Sequence, residues 1–75
     1  MSHTAGLVMH IQNALSLRTR RELEATVMHR QGIICAQIND NRPQFMVIEY
    51  DPQQINSFEV MHEVNGSYLH AARVS

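Results

Sequence analysis

The stretch Glu49-Tyr50-Asp51-Pro52, followed by Ile55-Asn56-Ser57-Phe58-Glu59-Val60, constrains this chain more than any other part of it. Proline has no backbone N–H and cannot continue a strand ladder, so Asp51-Pro52 ends the extended run before it. Just beyond, Asn56-x-x-Glu59 has the spacing of a capping box, in which each side chain accepts from the other residue's free backbone N–H. Ile55 and Val60 flank that box as a hydrophobic staple. A strand must therefore hand over to a capped helix within a few residues.

The same grammar organises the rest of the chain. Gln44 to Tyr50 reads as a strand. Asn39-Asp40-Asn41-Arg42-Pro43 before it is turn chemistry, since Asn and Asp tolerate left-handed backbone and proline breaks the ladder. Ile33 to Asn39 is then the other arm of a hairpin. Near the start, Leu7 to Gln12 alternates, with Leu7, Met9 and Ile11 on one face and Val8, His10 and Gln12 on the other. From Ser16 to Gln31 the period lengthens to a helical one. Leu23 and Val27 carry it, supported by Leu17, Ala25 and Met28. Thr19-x-x-Glu22 has capping-box spacing, and Ser16 can cap one turn earlier. Gly32 suits the left-handed exit of that helix. The second helix is expected to run to about Val64 and to stop at Asn65-Gly66, leaving Tyr68 to Val74 as a last strand. The predicted order is β-α-β-β-α-β. That is an α+β, ferredoxin-like sandwich: a four-stranded antiparallel sheet with two helices on one face.

A chain of 75 residues allows one domain, predicted to span 1–75 with an ordered core of about 7–74. Its hydrophobic fraction of 44% and charged fraction of 17% suit a packed core rather than a disordered tail. The net charge of -1 gives no electrostatic basis for nucleic-acid binding, which rewards a basic face. Arg18, Arg20 and Arg21 are expected as a solvated helix surface. The single cysteine, Cys35, excludes an intrachain disulfide and favours a reducing compartment. No apolar run reaches the roughly 20 residues of a membrane span, and Met1 to Gly6 lacks secretory-signal character. A cytoplasmic location with no membrane insertion is the expectation.

Several local features together resemble one family. They are the Gly32-Ile33 helix exit, the strand end Ile48-Glu49-Tyr50-Asp51-Pro52, and a capped second helix closing at Gly66 with Tyr68 nearby. The chain is similar to the heavy-metal-associated domain, the module of copper chaperones and of the N-terminal arms of metal-pumping P-type ATPases. The resemblance extends from Leu7 to Val74. It implies the ferredoxin-like fold and, in the family, a metal loop written M-x-C-x-x-C. Counting back from Gly32 aligns that loop with Ala14-Leu15-Ser16-Leu17-Arg18-Thr19. Ser16 and Thr19 stand where the cysteines would be, and Ala14 where the methionine would be. Ser67 also separates Gly66 from the aromatic that usually follows it directly. Soft ions such as copper(I) need thiolate or thioether donors, for which hydroxyls are poor substitutes. Arg18 would also repel a cation. Ser16, Arg18 and Thr19 therefore mark a loop equivalent to the metal site, with the metal chemistry removed.

Other donors remain. His10 in the first strand and His70 in the predicted last strand could offer two imidazoles to copper, zinc or nickel if they face the same way. Surface or half-buried histidines are the plainer reading, because neither belongs to a metal-spacing motif. His29 and His62 are placed late in the two helices, where an imidazole suits the negative end of the dipole. His3 could chelate through the amino terminus, a site that removal of Met1 would weaken. Met9, Met28, Met46 and Met61 read as core filler. Cys35 is expected to alternate outward, unless a bulge turns it in. No nucleophile elbow, phosphate loop or thiol pair is present, so no enzyme activity is expected.

Two helices on one sheet face leave the other face open. Val8, Cys35, Phe45 and Val47 are expected there as an interaction face for a protein partner or for a homodimer. Three functions follow from different classes. One is a protein-interaction or metal-handling module with a degenerate metal loop, and another is histidine-based transition-metal binding or transport. The last is an ACT-like small-molecule sensor, against which stands the lack of glycine between Asn13 and Arg18.

Overall fold

A computed structural model of the chain describes residues 3–12 and 14–74, with side-chain surroundings through Tyr68. Its elements are β1 (Ala5–His10), α1 (Leu17–Met28), β2 (Ile33–Ile38), β3 (Phe45–Tyr50) and α2 (Ser57–Val74). The strands form one antiparallel sheet in the order β1-β3-β2. Leu7 lies opposite Ile48 and Val8 opposite Val47 on one side of β3; Ala36 and Ile38 oppose Ile48 and Met46 on the other.

Both helices cover one face of this sheet. The inward residues Ile33, Ala36, Ile38, Met46, Ile48 and Tyr50 form a single buried cluster with Leu23 and Val27 of α1 and Val60 and Val64 of α2. Leu7, Met9, Leu15 and Tyr68 pack around its margin. The fold is α+β and ferredoxin-like, as the alternation in the strands and the helical rhythm of α1 require.

The helix starts follow local rules. Ser16, rather than Thr19, caps α1: its Oγ accepts from the Thr19 N–H at 3.2 Å, and Thr19 lies inside the first turn and is buried. At α2 the capping box is complete. Asn56 Oδ1 accepts from the Glu59 N–H at 2.8 Å, and Glu59 Oε1 accepts from the Asn56 N–H at 3.2 Å. Ile55 and Val60 of the staple are both buried. In the hairpin turn, Asn39 Oδ1 accepts from the Asn41 N–H.

Gly32 is required twice over. Its φ is +99°, and a Cβ there would stand 2.8 Å from Ile55 Cγ2. Its carbonyl accepts from the Asp51 N–H at 2.8 Å, tying the exit of α1 to the end of β3.

Three expectations need correction. β1 begins and ends two residues earlier than the Leu7–Gln12 alternation suggested. Asn65-Gly66 does not stop α2, and residues 68–74 continue the helix instead of forming a strand. The sheet accordingly has three strands among the described residues. A glycine costs a helix only about 1 kcal/mol relative to alanine, less than the helix formers Leu69, Ala71, Ala72 and Arg73 can outweigh. The third concerns Cys35. Strict alternation would return it to the face of Ile33. A bulge at Ile34 breaks the register, so Ile33 opposes Tyr50 while Cys35 opposes Glu49, the outward-facing neighbour.

Candidate functional site

Two places carry the residues that the sequence singles out: the loop at the start of α1 and the open face of the sheet. In the loop, the hydroxyls at the two cysteine-equivalent positions bond to each other, Ser16 Oγ donating to Thr19 Oγ1 at 2.9 Å. Ser16 Oγ is also the helix cap, so both side chains are engaged in holding the turn. Arg18 projects outward, its side chain 90% exposed, and pairs with Glu22 one turn on, Nε to Oε1 at 3.3 Å. This arrangement closes the first turn of a helix and presents no soft donor.

Arg21 is exposed, as a solvated helix surface requires, whereas Arg20 is half-buried. Both reach the β2–β3 turn and engage Asp40, and Arg21 also pairs with Glu24 at 2.9 Å. The hydrogen bond that Arg21 donates to Asp40, then that to Glu24, raises the Arg21 pKa above its ordinary value. Glu24 in turn accepts from the Ile38 backbone N–H at 2.6 Å. A carboxylate on α1 thus caps an amide on the outer edge of β2. Sequence reading missed this contact because no spacing rule links residues fourteen apart on two different elements.

On the open face, β1 contributes Gly6, Val8 and His10, β3 contributes Phe45, Val47 and Glu49, and β2 contributes Cys35 and Gln37. Val8 is 62% exposed and Val47 opposite it 46% exposed. The His10 and Phe45 rings meet edge to face, with centroids 5.6 Å apart. Cys35 is a free, half-buried thiol across from Glu49. An open depression of about 770 Å³ adjoins it, lined by Cys35, Gln37, Val47, Asn39 and Arg21 among others.

The histidines are dispersed. His10 is on β1, whereas His70 falls within α2 rather than on a strand. The His70 side chain lies outside the described surroundings. His29 is the C-cap of α1, as its place near the helix end required. His62 sits in the body of α2 because that helix runs on past Gly66. Among the described residues, no group of three or more His, Cys, Asp and Glu side chains is placed to hold a metal ion. Of the methionines, Met46 is fully buried, but Met28 is 46% exposed and is not core. Phe58, 77% exposed in the first turn of α2, Leu17 at 54% and Ile34 at 47% are further large apolar side chains left in water that the sequence did not flag.

No family model matches the chain, and no curated protein does. Solved structures do. The N-terminal soluble domains of Bacillus subtilis CopA match with a TM-score of 0.75 at 13% identity, over 88% of this chain and 44% of that one. The solution structure of a copper form of a CopA point variant from Bacillus subtilis matches with a TM-score of 0.69 at 14% identity, over 88% of this chain and 86% of that one. This chain thus spans less than half the length of the first. The likeness shows that it has the heavy-metal-associated fold. It departs from that fold's metal loop in having one cysteine and so no C-x-x-C pair. Among the described residues no helix is long and apolar enough to cross a membrane.

Proposed function

We propose that this chain is a single-domain, non-catalytic module that works by association through the open face of its sheet. The observation that supports this most directly is the pairing of Val8 and Val47 on that face, both largely exposed and bordered by Phe45 and Cys35. A contiguous exposed apolar patch is unfavourable in water and is the usual mark of a contact surface. The loop supports the same reading from the other side. Ser16 and Thr19 satisfy each other, and Arg18 places a positive charge where a metal cation would approach. Exposed backbone N–H groups at the start of α1, with Arg18 beside them, suit a partner's carboxylate better than a cation. A cytoplasmic setting accords with the unpaired thiol of Cys35.

Calorimetric titration with copper(I), zinc(II) and nickel(II), carried out beside a His10→Ala variant, tests this reading against metal handling. The expected result is no stoichiometric site for any of the three. Tight one-to-one binding lost in His10→Ala would replace the association module with histidine-based metal binding.

A further inference from the structure

The two edges of the sheet are treated differently. The β2 edge is defended: the bulge at Ile34 distorts it, and Glu24 occupies the Ile38 N–H. The β1 edge carries no charged residue, proline or bulge along Ala5-Gly6-Leu7-Val8-Met9-His10, which are the usual devices against edge pairing. Among the described residues no strand lies against it. The Ile11 N–H donates to the Gln44 carbonyl, which sets the alternation of the ladder. Leu7 and Met9 therefore aim their backbone groups at β3, and Gly6, Val8 and His10 aim theirs outward.

We propose that the occupant of this edge is a second copy of the same strand, in an antiparallel pairing with its two-fold axis at Val8. This rests on the association reading above, takes a second copy as the partner and places the contact at the edge that borders the open face. Within β1, that register alone matches all three outward-facing residues: Val8 with Val8, and Gly6 with His10 in both directions. It also keeps the helices of both copies on one side of a continuous sheet, since residues of equal parity meet. The open faces then join into one. Val47, Val8, and the second copy's Val8 and Val47 form a ladder of β-branched side chains across four strands.

Charge complementarity favours the same register. Glu49 of β3 lies opposite Gly6, and Gly6 would lie opposite the second copy's His10. The carboxylate and the imidazole would be two strand spacings apart, about 10 Å between Cα atoms. Gly6 has no side chain between them, and the space above it is open. The two side chains can lean over the glycine and form a hydrogen bond, once on each side of the axis. With no formal charge on β1 itself, nothing repels across the axis.

Sedimentation velocity of the full chain across a concentration series tests this, together with amide hydrogen exchange at Gly6, Val8 and His10. The expected result is a concentration-dependent dimer whose formation slows exchange at those three amides. Val8→Lys sets like charges against each other at the axis and should weaken the dimer at least about tenfold, with the monomer's circular dichroism unchanged. Glu49→Gln should weaken it by a smaller factor. A dimer indifferent to Val8→Lys but lost in Val47→Asp pairs face to face; that overturns the edge proposal and leaves the association reading intact. Concentration-independent protection of the Val8 amide in a monomer overturns it in favour of coverage by the chain's own C-terminal segment. A monomer with fast exchange at all three amides overturns it outright.

Discussion

The two faces of β3 come from one six-residue strand, and they obey different rules. Met46, Ile48 and Tyr50 point into the cluster with α1 and α2, and the first two are completely buried. Phe45, Val47 and Glu49, one residue out of step, point into water or toward each other's neighbours. Hydrophobicity alone does not separate the two sets, since Val47 is as apolar as anything in the core. What separates them is coverage. Both helices pack on one side, so an apolar side chain on that side contributes to folding, while one on the other side contributes only if something else arrives to cover it. The inner face is therefore where stability is concentrated, and the outer face is where sequence is free to serve association.

That contrast can be broken most forcefully at Ile48. Truncation to alanine removes a fully buried side chain and should lower unfolding free energy by about 2–5 kcal/mol, measured by chemical denaturation. Gly32→Ala should follow, because it forces a side chain into left-handed backbone and against Ile55; a loss of about 1–3 kcal/mol is expected in the same assay. Asn56→Ala removes half of the capping box of α2 and should cost about 1 kcal/mol, visible as a lower midpoint. At the other extreme, Val47→Ser on the open face should change monomer stability by no more than about 0.5 kcal/mol. If Val47→Ser destabilised the monomer as strongly as Ile48→Ala, the division between a folding face and an association face would be lost.

Much of this was legible in advance because it depends on neighbours in sequence. The Asn56–Glu59 box, the Ile55–Val60 staple, the Asx turn at Asn39 and the Gly32 exit involve residues a few positions apart, and their geometry is set by short-range sterics and hydrogen bonding. The inward set Met46, Ile48 and Tyr50 was equally legible, since a period of two leaves no choice once one face is buried. The loop told its story through absence: hydroxyls where thiolates would be. Elsewhere local rules were insufficient. Asn65-Gly66 looked like a helix stop, but a stop signal is a small local preference and neighbouring helix formers can exceed it. Cys35 reached its outward position only through a bulge that no spacing announces.

The sequence by itself thus determined the order of elements through α2, the caps and turns that separate them, the inward set of β3, and the loss of a thiolate metal loop. Each of these is fixed by contacts within a few residues or by a periodic pattern. Only the tertiary structure decided that Glu24 seals the β2 edge, that Arg20 and Arg21 are tied to Asp40, and that among the described residues no strand lies beside β1. Those outcomes depend on which elements come to lie side by side, and that is settled by packing the whole chain around one core.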